Sequence, residues 1–357
     1  MEERNETNTM LQLMTQPAFR VEEGVISYVN QAAAGYFVEA GQSIAPLIVC
    51  GGEEYEEFCG GCLYVTLSIG GCTVGASVTQ VEDAHIFVLE QHTELPQLQA
   101  LALAAMELRE PLSSMLILAD RMLPGIAKND DTLSAQAAQM NRRLYQLQRI
   151  ISNMSDAAVY AQAPQVPMEY VEICGFLEET LEKTAALSEQ AGVRLEYTLP
   201  REMIYTLADS DKLERAVYNI LSNAIKFTPE GGVIQAKLVQ KNKRLYFSVT
   251  NPRNGPGPQG NIYTRFLRQP GLEDSRNGIG LGMVLVRSVA AVHGGAVLVD
   301  QADDNTRITL TMQMRRSNPG TVRSPSMRID YAGERDHGLM ELADVLPASA
   351  YSVENES

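Results

Sequence analysis

Two apolar seams of period 3.5 restrict the possible folds of this chain more than any other feature. Leu98, Leu101, Ala105, Leu108, Leu112, Met115, Ala119 and Met122 alternate spacings of three and four, and Leu133, Ala137, Met140, Leu144, Leu147, Ile151, Met154 and Ala158 repeat the pattern. Such an alternation is helical and needs an apolar partner along its whole length. The connection Pro124–Asp131 holds Pro, Gly, Asn and Asp, residues that turn a chain, so the two helices fold back on each other. A single hairpin leaves half of its seam open. Pairing two hairpins as a four-helix bundle closes it, and a homodimer is expected; a monomeric hairpin packed on its neighbours is the plainer alternative.

On either side of the hairpin the period changes. From Ala18 to about Glu90 short alternating runs are punctuated by turn residues: Phe19 and Val21, then Gly24, then Ile26 and Tyr28 before Asn30. Glycines 51–52, 60–61 and 70–71 divide the rest of this region, up to an apolar strand at Ile86–Leu89. After the linker Ala161–Met168, an amphipathic helix (Ile173, Phe176, Leu177, Leu181) leads to the alternating strand VRLEYTLP. A second helix over Asp211–Phe227 aligns Leu213, Val217, Ile220, Leu221 and Ala224. Strands near Val233–Leu238, Leu245–Val249, Val297–Val299 and Ile308–Met314 complete an α/β sandwich. The expected organisation is an α+β multidomain chain: a disordered N-terminus (1–15), a small α+β sensor module (16–92), the helical hairpin (95–160), the sandwich (168–314) and a flexible tail (315–357). Pro319 and Pro325 mark that tail, and Leu339–Leu346 is the one stretch in it suited to a short docking helix.

Composition excludes several functions. A net charge of −15 opposes a phosphate-binding nucleic-acid surface and an anionic membrane. The longest apolar stretch, around Leu281–Val292, is interrupted by Arg287 and is too short to span a bilayer. The polar, acidic start MEERNETNTM does not read as a signal peptide, so a cytoplasmic location without membrane insertion is expected. Five cysteines are too few for a disulfide scaffold. Cys50, Cys59, Cys62 and Cys72 include a Cys-Gly-Gly-Cys step, which is open to a zinc or iron–sulfur site, a redox pair, or small residues among glycines.

Particular segments carry a resemblance to a known family. ERAVYNILSNAIKFTPEGG is similar to the asparagine box of the ATP-binding domain of sensor histidine kinases, and NGIGLGMVLVRSVAAVHGG to its second glycine box. FRVEEGVISYVNQAA resembles the first hairpin of a PAS domain, and AAMELREPLSS the phosphoacceptor box of the bundle. The resemblance implies a PAS-like domain, a dimerisation hairpin and an α/β sandwich of the histidine kinase ATPase type. It also implies ATP and Mg²⁺ as ligands. Asn223 takes the metal role and Asn219 and Lys226 the phosphate contacts, while Gly278, Gly280, Leu281 and Gly282 let the backbone approach phosphate ahead of a helix N-terminus. Gln259–Asn277 reads as a lid carrying Phe266, Arg265 and Arg268. His293 reads as a helix C-terminal residue before a glycine cap.

Two boxes depart from the family. The first glycine box should supply an aspartate for the adenine amino group, but the sequence is VTNPRNGPGP, with Asn251 at the expected offset and Gly255 and Gly257 keeping the glycine spacing. An amide in place of a carboxylate weakens that hydrogen bond by about 1–2 kcal/mol. In the acceptor box Glu107, Leu108, Arg109, Pro111 and Leu112 align, but Met106 occupies the histidine position and Glu110 the threonine position. A thioether neither attacks phosphorus nor holds a phosphoryl group. The four histidines, His85, His92, His293 and His337, all lie outside this helix. The reading is a two-component signalling protein that has lost self-phosphorylation and regulates a response regulator or a partner histidine kinase. The alternatives are an active kinase acting on a partner chain and a nucleotide-free scaffold. Glu107, the adjacent acid, then reverts to a solvated carboxylate.

Overall fold

The computed structural model describes residues 2–89, 94–127, 131–161, 168–252, 281–302, 304–315 and 336–352. Its first element corrects an expectation: Glu2–Leu13 is a helix, α1, rather than a disordered arm. The buried Asn30 accounts for this, because its Nδ2 group donates to the carbonyls of Leu11 and Gln16 while its Oδ1 accepts from the Ala18 and Ala33 amides. Leu11 packs on Ala18 and Ile86.

The next unit holds six strands: β1 (Ala18–Glu22), β2 (Val25–Val29), β3 (Ile48–Cys50), β4 (Cys62–Ile69), β5 (Cys72–Val81) and β6 (Ala84–Leu89), with the short helix α2 (Gly52–Glu56) before β4. They form an antiparallel sheet in the order β2-β1-β6-β5-β4, with β3 beside β4. Phe19, Phe87, Leu63, Val65 and Leu67 alternate onto one face and fill its core, the rings of Phe19 and Phe87 stacking at 4.9 Å.

Helices α3 (Glu94–Ala127) and α4 (Asp131–Ala161) form the expected hairpin. The turn is shorter than anticipated, because α3 continues through Pro124 and Gly125 to Ala127. A proline near a helix end removes only one N–H from the ladder, which the rest of a long helix tolerates. The seams divide by position. Ala105, Leu112 and Ala119 meet Ala137, Leu144 and Ile151 inside the hairpin. Leu108, Met115 and Met122, with Leu133, Met140 and Leu147, remain exposed.

The last unit contains β7 (Glu169–Glu172), α5 (Ile173–Gln190), β8 (Arg194–Thr198), β9 (Tyr205–Ala208), α6 (Ser210–Phe227), β10 (Val233–Lys241), β11 (Arg244–Pro252), α7 (Leu281–Val292), β12 (Val297–Ala302) and β13 (Asn305–Gln313). Its sheet runs β12-β13-β11-β10-β8, with helices packed over one face. The flexible-tail expectation is corrected here for Asp336–Ser352, within which the docking helix expected at Leu339–Leu346 forms slightly earlier. Asp336 caps the short helix α8 (His337–Glu341), and Leu342, Ala343, Leu346 and Tyr351 are buried in the same core as α5 and α6. Apolar residues at three- and four-residue spacings find a groove between helices and order the segment.

The two sheets are continuous. Strand β4 pairs antiparallel with β12, Leu63 opposite Leu298 and Cys62 opposite Val299. Gly61 makes this approach possible: its φ is +79°, and a Cβ there would sit 2.5 Å from the Val299 carbonyl oxygen. Cys50, Cys62 and Cys72 are spread along β3, β4 and the start of β5, with Cys62 and Cys72 at opposite ends of the β4–β5 ladder. Among the described residues no group of three or more His, Cys, Asp or Glu side chains could hold a metal, so the shared-site reading of Cys50, Cys59, Cys62 and Cys72 is set aside. Burial pushes the Cys62 thiol up to about 12, consistent with a packed, unreactive group. None of the described helices is long and apolar enough to cross a membrane.

Candidate functional site

Helix α6 organises the site. Asp209 caps it by accepting from the Lys212 amide, and Leu213, Val217, Ile220, Leu221 and Ala224 anchor its apolar face. That anchoring fixes the rotation of the helix, and so the direction of Asn219 and Asn223, one turn apart. Asn219 is 2% exposed. Its Nδ2 donates to the Arg215 carbonyl at 2.8 Å, and its Oδ1 accepts from Arg149 of α4 at 3.3 Å. Asn223 and Lys226 are half-buried, with the Lys226 ammonium 5.5 Å from the centre of the Phe227 ring.

The first turn of α7 closes on this face. A Cβ at Gly282 would press on Asn219 Oδ1, so a larger residue there would have to push that side chain aside. Asn219 and Gly282, far apart in sequence, are therefore brought together. Leu281 opens the same helix, whereas Gly255, Gly257, Gly278 and Gly280 and the Gln259–Asn277 stretch lie outside the described residues. Asn251 is buried at the end of β11, and its Nδ2 donates to the Pro252 carbonyl at 3.0 Å. That bond leaves the amide oxygen as the acceptor.

His293 has a structural role. Its Nδ1 donates to the Val289 carbonyl at 2.7 Å, and its Nε2 accepts from the Asp209 amide at 3.1 Å, tying the end of α7 to the cap of α6. Burial lowers its pKa below the ordinary value, and Arg315 adds to the effect. On the bundle, Met106 is 63% exposed beside the buried Ala105, and Glu107 is exposed. Ser113 Oγ donates to the Arg109 carbonyl within α3, and the guanidinium of Arg109 reaches Ser155 of α4.

A cluster unanticipated from the sequence stands beside Asn219. Glu341, 0% exposed, accepts from Arg215 at 3.0 Å and lies 3.5 Å from Arg149, which also donates to Asp344 at 2.6 Å. The available signal was the row of polar residues Asn141, Arg142, Gln146 and Arg149 on one side of α4, which has no explanation within an isolated bundle.

The sandwich, the asparagine helix and the glycine that admits α7 define an ATPase-type domain. The family of histidine kinase-, DNA gyrase B- and HSP90-like ATPases matches residues 208–316. The chain is 31% identical over 107 residues to the sensor protein KdpD of Clostridium acetobutylicum, covering 29% of this chain and 12% of that protein. It is 25% identical over 213 residues to the sensor histidine kinase WalK of Bacillus subtilis, covering 58% of this chain and 35% of WalK. Among solved structures, the mycobacterial sensor histidine kinase MprB matches at 30% identity with a TM-score of 0.36, over 42% of this chain and 100% of that one. Residues 208–316 thus match this ATPase family, and over a longer stretch the chain is similar to sensor histidine kinases. It spans about a third or less of the length of these two curated relatives.

Proposed function

We propose that this chain is a two-component signalling protein that binds ATP with Mg²⁺ and regulates a response regulator or partner kinase, without phosphorylating its own bundle. The residues present fit the nucleotide: Asn223 offers a half-buried amide one turn from Asn219, and the half-buried Lys226 stands one turn further along the same helix. In this reading Asn223 holds the metal, Lys226 sets a positive charge near the phosphates, and the Asn251 amide oxygen accepts from the adenine amino group.

One observation carries the loss of self-phosphorylation. Met106 takes the acceptor's place on α3, exposed to solvent, with no histidine elsewhere on that helix. Its thioether has no proton to surrender and forms no stable bond to phosphorus. Incubation with radiolabelled ATP is expected to leave the purified chain unlabelled. An acid-labile phosphoryl group on α3 or α4 overturns the proposal.

Two further elements support the same reading. The order β2-β1-β6-β5-β4 with helices before the third long strand suits a PAS-type sensor. The exposed rows Leu108, Met115, Met122 and Leu133, Met140, Leu147 suit a second copy of the hairpin, giving a cytoplasmic homodimer. Light scattering at micromolar concentration is expected to return twice the chain mass, and Met115→Lys, which places a charge in that seam, to return the monomer mass. A wild-type monomer removes the dimer.

Asn251 favours one rival. Lacking the carboxylate of the family, the adenine contact loses charge assistance, as in a nucleotide-free scaffold. Calorimetry with a non-hydrolysable ATP analogue separates the two, since the scaffold gives no heat.

A further inference from the structure

We infer that Asp336–Ser352 is a built-in clamp: it holds the ATPase-type domain against α4 and closes the asparagine end of the nucleotide site, so that strap and nucleotide compete. The inference rests on the nucleotide reading of Asn219.

The strap is bolted to two units at once. On the domain side, Leu342, Ala343, Leu346 and Tyr351 join the core built by α5 and α6. On the bundle side, four side chains of α4 donate to it. Arg142 reaches the carbonyls of Ala343 and Asp344 at 3.2 Å each, Gln146 reaches the Ala343 carbonyl at 3.0 Å, Asn141 reaches that of Tyr351 at 3.4 Å, and Arg149 pairs with Asp344. The spacing 142, 146, 149 is one face of a helix, so α4 presents a continuous donor edge to this segment. The Tyr351 ring packs on Tyr145 of α4 at 5.2 Å, and its hydroxyl donates to the Leu339 carbonyl.

The Glu341 carboxylate lies between the two units. It has no solvent exposure and is held by Arg215 from α6 and Arg149 from α4. Such a carboxylate is stable only with both cations in place. Arg149 is the connecting piece, because the guanidinium held by Glu341 and Asp344 also donates to Asn219 Oδ1. A phosphate oxygen accepts, so at Asn219 it needs the Nδ2 group, which now donates to the Arg215 carbonyl; turning the amide toward it withdraws Oδ1 from Arg149, and the strap that fixes Arg149 resists that movement. Two arrangements of Asn219 that exclude each other are coupled reciprocally: what weakens the strap tightens the nucleotide, and the reverse. With a minority of molecules unclamped, the apparent affinity falls by that fraction.

The test uses the full chain and three variants, Glu341→Gln, Asp344→Asn and Arg149→Gln, with a fluorescent ATP analogue and Mg²⁺ as probe. Hydrogen exchange of α4 and 336–352 is followed in parallel. Folded variants are expected to bind the analogue about tenfold more tightly than the parent and to exchange faster in both segments. A merely structural strap predicts lower stability with no gain in affinity, and folded variants that bind no better than the parent overturn the clamp. Asp344→Asn removes only the partly exposed partner of Arg149, so it keeps the test valid should Glu341→Gln fail to fold. If no chain binds the analogue, the nucleotide reading falls. The clamp is then decided by exchange alone: faster exchange at the α4 contact supports it and unchanged exchange removes it.

Discussion

The ATPase-type domain is gripped from two sides, and the grips are built differently. At the side of the N-terminal sheet, strand β4 adds to β12 through backbone hydrogen bonds, and Glu54 sits behind them, accepting from Arg244 at 2.8 Å and from Thr311 Oγ1 at 2.6 Å. Arg244 also holds Glu53 at 2.9 Å and the Gly294 carbonyl at 3.1 Å. At the other side the strap meets a helix, α4, rather than a strand edge. Side-chain donors, a buried aromatic pair and the Glu341 cluster make that contact. Both junctions bury a carboxylate against arginine. Only the β4–β12 junction adds backbone strand pairing around its ions, whereas at the strap the ions are held by side chains, Arg149 also pairing with Asp344 and Arg215 with Asn153. Electrostatics assists at the β4–β12 junction and carries more of the contact at the strap.

That difference predicts unequal losses. Glu341→Ala removes the buried acceptor that Arg149 and Arg215 share, leaving Arg149 with the partly exposed Asp344 and Arg215 with the neutral amide of Asn153, and urea unfolding is expected to report a loss of about 3–5 kcal/mol. Glu54→Ala leaves Arg244 with Glu53 and Gly294, and Thr311 Oγ1 within 3.3 Å of the Ala296 carbonyl, so the same measurement should give about 1–3 kcal/mol. Equal losses, or a larger one at Glu54, would break the comparison.

The sequence foretold these junctions poorly, for a physical reason. Periodicity reports which face of an element is apolar. It predicted the hairpin through Ala105, Leu112 and Ala119, and the orientation of α6 through Val217 and Ile220, because local spacing decides those contacts. The motif around Asn219 and Asn223 was legible since helix geometry alone places the two amides on one face. What joins units was hidden. An edge strand carries no mark of the distant strand it will pair with, so nothing in Leu63 points to Leu298. Leu339–Leu346 was legible as a short docking helix, but where it docks was not, because the burial of Glu341 depends on two arginines far away in sequence. The N-terminal helix was missed similarly: α1 is polar by composition, and its order depends on Asn30, beyond its own end.

Acid offers the smallest and most selective perturbation. His293 is neutral by construction: Nε2 must keep a lone pair to accept from the Asp209 amide, and burial disfavours the charged ring. Its folded pKa lies below the ordinary 6.5. The unfolded chain therefore takes up the proton first, and stability present above that value declines as pH falls beneath it. The loss is limited to about 1.4 kcal/mol per unit of depression. His293 precedes Gly294, whose carbonyl receives Arg244, and its own carbonyl accepts from the Gln313 amide on β13. Acidification should therefore loosen the β4–β12 junction before the strap. Hydrogen exchange at pH 5.5 and 7.5, expressed as protection relative to the intrinsic rate at each pH, is expected to show lost protection at β12 and the adjoining end of α7 at the lower pH, with that of 336–352 unchanged. His85, also lowered by burial, shifts in the same direction within the N-terminal sheet, so His293→Gln is the needed control. Glutamine cannot gain a proton there, and the pH-dependent loss of β12 protection should vanish. If β12 responds equally in that variant, the effect comes from His85, and the two grips are not separately sensitive to acid.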